Sequence, residues 1–86
     1  DRVDEGQRHS GEGERALARG DIGEDGGDGA IPSFRRALAL RATDSRALQG
    51  LAAAESALIR RAEEAAARDD YAASAQWLDR AATVRP

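Results

Sequence analysis

The stretch from Ser45 to Arg68 constrains the fold more than any other part of the chain. Ala47, Leu51, Ala54, Leu58, Ala62 and Ala65 fall at i, i+4, i+7, i+11, i+15 and i+18, one continuous helix face. Leu48, Ala52, Ile59 and Ala66 flank that face, while Arg60, Arg61, Glu63, Glu64 and Arg68 lie largely outside it. Glu64 and Arg68 make a favourable i, i+4 pair. Thr43-Asp44-Ser45 supplies a turn and cap before the helix, and Asp69-Asp70 punctuates after it. Gly50 is the weak point, costing about 1 kcal/mol against alanine unless it permits a close helix contact.

A narrow, alanine-rich stripe has to be buried against other helices, and the apolar supply agrees. Of the apolar residues 20 are Ala, and only 15 are larger: 7 Leu, 3 Ile, 2 Val, Phe34, Tyr71 and Trp77. Alanine has the best helix propensity and lets helices approach closely. It cannot fill the wide core of a β-sandwich or an α/β sheet, and β-branched and aromatic residues are scarce. The 86 residues allow one small domain at most. The expected class is therefore all-α, with three to four helices and a long middle one.

The other elements are shorter. A second helix is expected from about Ala30 to Ala42, with Asp28 as candidate N-cap and Pro32 in the first turn. Ile31, Phe34, Ala37, Leu38 and Arg41 give it a three-four stripe. A last helix should run from Tyr71 to about Val84, capped by Asp70 and ended by Pro86. Its main stripe is read as Tyr71, Ala75, Leu78 and Ala82, with Trp77, Ala81 and Val84 as a second, adjacent one. Glu14 to Arg19 suits a short first helix stopped by Gly20. Residues 1–13, where Gly6, Gly11 and Gly13 interrupt and Val3 is the sole sizeable apolar residue, read as a disordered tail or linker. Residues 21–29 hold four glycines and four carboxylates and read as a loop. The folded domain is thus expected over 14–86.

Two stretches share a pattern. Gly20-Asp21-Ile22 is followed by Ala30, Phe34, Ala37 and Leu38; Asp69-Asp70-Tyr71 is followed by Ser74, Leu78, Ala81 and Pro86. Each has a small residue, a large apolar residue four later and an alanine three after that, behind an acidic turn. This resembles the second half of a tetratricopeptide repeat, a helix hairpin recurring about every 34 residues. The resemblance covers roughly residues 14 to 86 as about two units, with Leu58, Ala62 and Ala65 similar to first-helix packing positions. Ala37 and Ala81 are 44 residues apart, however, and the acidic loop is an insertion. The resemblance implies a protein-binding or scaffold role. A weaker one, to repeat segments of bacterial envelope and signalling proteins, implies a structural spacer or self-associating segment.

The chemical inventory is sparse. Cysteine is absent, which excludes disulfides, thiolate nucleophiles and cysteine metal sites. His9 is the only histidine and falls in the expected tail, so no catalytic pair is expected, and neither an enzyme nor a cofactor. Asp21, Glu24, Asp25 and Asp28 could wrap a hard cation such as calcium, which gives a cation-responsive regulator as a further alternative; their spacing does not match an EF-hand well, and a loop kept soluble by charge is the preferred reading. Arg35, Arg36 and Arg41, and Arg60, Arg61 and Arg68, read as solvated helix faces or as basic patches. Trp77 with Ala81, Val84 and Tyr71 reads as an apolar flank presented to a protein or peptide partner or to a second copy, or else folded onto the chain's own core.

Net charge is −3, which argues against nucleic acid. No run approaches the length of a membrane span, so membrane attachment is expected only through a segment outside this chain. The lack of Met means that Asp1 is not a translation start, and a fragment or a processed or trimmed chain is expected. All 13 basic residues are Arg, which with the abundant Ala and Gly fits GC-rich bacterial coding; cytoplasm and periplasm both stay open.

Overall fold

The computed structural model describes residues 2–23 and 29–84. Four helices follow in order: α1 (Arg2–Ala18), α2 (Ala30–Leu40), α3 (Ser45–Ala67) and α4 (Tyr71–Ala82). They pack as two hairpins, α1 with α2 and α3 with α4, and the first hairpin lies along α3. At 1.5 Å per residue α3 is about 34 Å long, the longest helix of a body measuring 48 × 23 × 19 Å. Phe34, Leu51, Leu58 and Val84 are the large fully buried side chains, joined by Ile22, Ile31 and a shell of alanines.

The expected stripe of α3 is the buried one: Ala47, Leu51, Ala54, Leu58, Ala62 and Ala65 all face inward, and so does Gly50. Both expected aspartate caps are in place. The Asp44 carboxylate accepts from the Ala47 amide and the Asp70 carboxylate from the Ala73 amide, each at 3.2 Å. The N-cap of α2 is Gly29 rather than Asp28, which lies outside the described residues. Backbone replaces side chain there: the amides of Ala30 and Ile31 donate to the carbonyls of Asp21 and Ile22 at 3.0 and 2.9 Å. These bonds, with Ile22 buried, fasten the base of the acidic loop to the start of α2. Gly29 has φ 128°, and a Cβ on it would meet Gly23 Cα at 2.8 Å.

Residues 2–13, expected as a tail, are helix, and the folded unit includes them. The reason is tertiary. Gly6, Ser10 and Gly13 fall at i, i+4 and i+7 and are buried, so the small residues are the packing seam of α1 and not breaks in it. The Phe34 ring fills the space they leave, and a Cβ on Gly13 would stand 2.7 Å from its Cε1. Gly50 takes the other side of the same ring. The one large aromatic of the core is thereby held between the glycine backbones of α1 and α3.

The two hairpins turn in the same way. The Gly20 amide donates to Leu17 and the Asp21 amide to Ala16; likewise Asp69 donates to Ala66 and Asp70 to Ala65. Both are Schellman closures with a left-handed residue after the helix: Gly20 at φ 79° and Asp69 at φ 62°.

The expected main stripe of α4 is reversed. Ala81 and Val84 are core and Trp77 is half-buried against it, whereas Tyr71, Ala75, Leu78 and Ala82 are exposed. Both stripes satisfy a helical period.

Candidate interaction face

Two of the arginines that suggested basic patches, Arg35 and Arg61, bridge separate elements of the fold. Arg35 reaches from α2 to the end of α4, donating to the Thr83 carbonyl at 2.8 Å. Arg61 reaches from α3 to the end of α1, donating to the Gly20 carbonyl at 2.9 Å. Each puts a cation on a helix C-terminus, where the dipole favours it. Arg46 meets Glu14 with two short bonds, 2.8 and 2.6 Å, joining α3 to α1. That hydrogen-bonded guanidinium holds the Glu14 carboxyl below the usual carboxylate range.

Trp77 is part of the same scaffold. The guanidinium carbons of Arg61 and Arg80 lie 5.1 and 5.0 Å from its ring centre, so cations lie over a half-buried indole. Of the residues expected to meet a partner, Ala81 and Val84 are closed off in the core and Trp77 is held by arginines; Tyr71 is open.

The accessible apolar surface lies on the opposite flank. Leu48, Ile59, Tyr71 and Leu78 are the exposed large hydrophobics, at 39, 37, 66 and 49 %. On α3, Leu48, Ala52, Ile59 and Ala66 occupy one edge of the buried stripe, and Arg61 lies toward the other. On α4, Tyr71, Ala75, Leu78 and Ala82 occupy one edge, and Trp77 lies toward the other. Because Arg61 meets Trp77, those two edges are adjacent, and the remaining edges lie together on the other side of the hairpin. The result is one apolar face along α3 and α4, bordered by the carboxylates of Glu55, Glu63 and Asp79. Sequence reading found the Tyr71–Ala82 stripe but assigned it to the core. Both α4 stripes have helical spacing, so no local signal separated them.

A second concavity, of about 440 Å³, lies between Gly6 and Gln7 of α1 and the α2–α3 corner from Leu40 to Arg46. Two of its polar side chains are committed locally: Asp44 caps α3 and Arg46 holds Glu14. Of the suggested cation ligands, Glu24, Asp25 and Asp28 lie outside the described residues, and the Asp21 carboxylate stands 4.0 Å from Arg19. Among the described residues no group of three or more His, Asp or Glu is placed to hold a metal. His9 lies on α1 with Nδ1 3.8 Å from the Glu12 carboxylate. No described helix is long and apolar enough to cross a membrane. No protein-family model matches the chain, and no curated protein or solved structure is significantly similar to it.

Proposed function

We propose that this domain is a non-catalytic protein-interaction or scaffold module, built on tetratricopeptide-like hairpins, that engages a protein or peptide through the outer face of α3 and α4. The observation that carries the reading is the apolar face of Leu48, Ile59, Tyr71 and Leu78 on one side of a single hairpin. Apolar surface gathered in one place, with a charged border, marks association rather than scatter. The twin Schellman closures and the matched Phe34–Ala37 and Leu78–Ala81 pairs support the repeat-like reading.

Selection from a peptide display library tests it. The wild-type chain should enrich binders that a helical Tyr71→Ser/Leu78→Gln variant does not retain. Binders indifferent to both substitutions, or no binders, would refute the reading. The structural spacer is the second reading, favoured by the 48 Å length of the body. Light scattering on the chain across concentrations separates them, since a self-associating segment gains mass as concentration rises.

A further inference from the structure

We infer that the occupant of the α3–α4 face is a helix of a partner protein, with a small residue at the centre of its apolar seam and arginine or lysine along its flanks. The inference rests on the interaction function proposed above and specifies its partner.

The fold itself contains the template. Phe34 of α2 and Leu78 of α4 hold matching places in their hairpins, each three residues before a buried alanine, Ala37 and Ala81. Phe34 is fully buried because it is covered twice: by Gly13 of its own hairpin, and by Gly50 of α3 lying across that hairpin. Leu78 is 49 % exposed, and α3 is the only described helix packed against α4, so no second helix lies across it among the described residues. The element that closes the first hairpin is a helix presenting Ala47, Gly50, Leu51 and Ala54. The same shape fits the second, since a glycine or alanine at the crossing lets the incoming backbone approach a bulky side chain.

Charge selects among helices of that shape. Glu63 and Asp79 are exposed on the border, with no ion-pair partner among the described residues, and Glu55 stands nearer the seam. No arginine lies on those edges of α3 and α4; Arg61 and Arg80 are drawn to the Trp77 side. A helix with basic flanks gains attraction along both borders. A second copy of this chain would bring the same carboxylates against themselves, which costs affinity.

The test uses the 86-residue chain, isotope-labelled, and two synthetic helix-favouring peptides. Both carry the same leucine–alanine seam with a central glycine; one has arginine on its flanks and the other glutamate. The arginine peptide should bind saturably in the micromolar range, at least tenfold tighter than the glutamate peptide. Amide shifts should centre on Ile59, Tyr71 and Leu78. Leu78→Glu should weaken binding at least tenfold, while Ala53→Glu, on the outward side of α3, should leave it unchanged. Charge reversal at Glu63 and Asp79 to lysine should invert the preference between peptides. Saturation by neither peptide, equal affinity for both, or shifts confined to the Leu40–Arg46 concavity would overturn the inference. If both peptides fail while library selection still yields binders lost on Leu78→Gln, the helix inference falls and the interaction function stands. A chain that dimerises through this face, with the dimer abolished by Leu78→Glu, overturns the partner-helix inference in favour of a second copy.

Discussion

Replacing Gly50 with alanine sets two opposed energies against each other in a single methyl group. Helix propensity alone gains about 1 kcal/mol from the change. In the fold, the added Cβ would stand 2.6 Å from Cδ1 of Phe34 and nearer still to Cε1 and Cζ. Comfortable carbon–carbon separation is about 3.5–4.0 Å, so the ring must retreat or α3 must lift. Retreat is blocked, because the α1 backbone at Gly13 lies against the other side of the ring. Overpacking costs about 1–3 kcal/mol, and a ring held from both sides belongs at the upper end. The net expectation is a loss of about 2 kcal/mol, which for a domain of this size lowers Tm by roughly 8–16 °C. Circular dichroism during thermal and urea unfolding measures it. Gly6→Ala is the matched control: its Cβ would meet only Asp44 Oδ2, at 3.8 Å, so it should raise stability by up to ~1 kcal/mol. Phe34→Leu introduced into the Gly50→Ala chain should recover part of the loss, with a coupling of about 1 kcal/mol or more. If Gly50→Ala is as stable as the parent, or if the double mutant is strictly additive, the clamp on Phe34 is wrong.

Four further outcomes follow from the same packing. Asp69→Gly should stabilise by about 1 kcal/mol in urea melts, since it removes the left-handed strain of a non-glycine residue at φ 62°; a loss would show that its bond from the Tyr71 hydroxyl matters more. The Glu14 carboxyl is depressed in the fold by Arg46, so its contribution is present above the unfolded value of about 4.3 and lost as pH falls through the folded one. Because the pair is exposed, the stability gap between the parent and Glu14→Gln should be only ~0.5 kcal/mol at neutral pH and should close as pH falls through the folded value; a pH-independent gap would refute the linkage. Trp77→Ala should cost about 2 kcal/mol from partial burial and lost cation–π contacts, and the native fluorescence of Trp77 should be quenched more by iodide than by caesium; a neutral substitution would mean that Trp77 is not part of the scaffold. Leu78→Gln should change stability by less than about 0.5 kcal/mol, and a larger loss would place Leu78 in the core.

The features legible from sequence were those that one helix decides alone. The buried stripe of α3 follows from its own spacing, and Asp44 and Asp70 cap because an aspartate before a helical run can accept from the amide three residues on. The all-α class follows from a supply of small apolar residues that suits close helix contact and little else. The candidate face was only half legible, since α4 carries Tyr71–Ala75–Leu78–Ala82 and Trp77–Ala81–Val84 on neighbouring edges, and a period cannot say which edge meets α3.

Glycine shows where local inference ends. Read alone, Gly6, Gly11 and Gly13 lower helix propensity enough to suggest a tail. In the fold, Gly6 and Gly13 lie on the buried seam, Gly13 admits the Phe34 ring, and the contact so formed holds α1 as helix. Gly50 is the same residue type with the same meaning on the other side of that ring. Sequence by itself determined that the chain makes amphipathic helices, where the later ones begin and which face of α3 is apolar, because those depend on neighbours within a few residues. Tertiary structure alone decided that α1 starts at Arg2, that Trp77 serves the scaffold and that Tyr71 and Leu78 stay exposed, because each depends on a side chain from another helix filling or leaving a space.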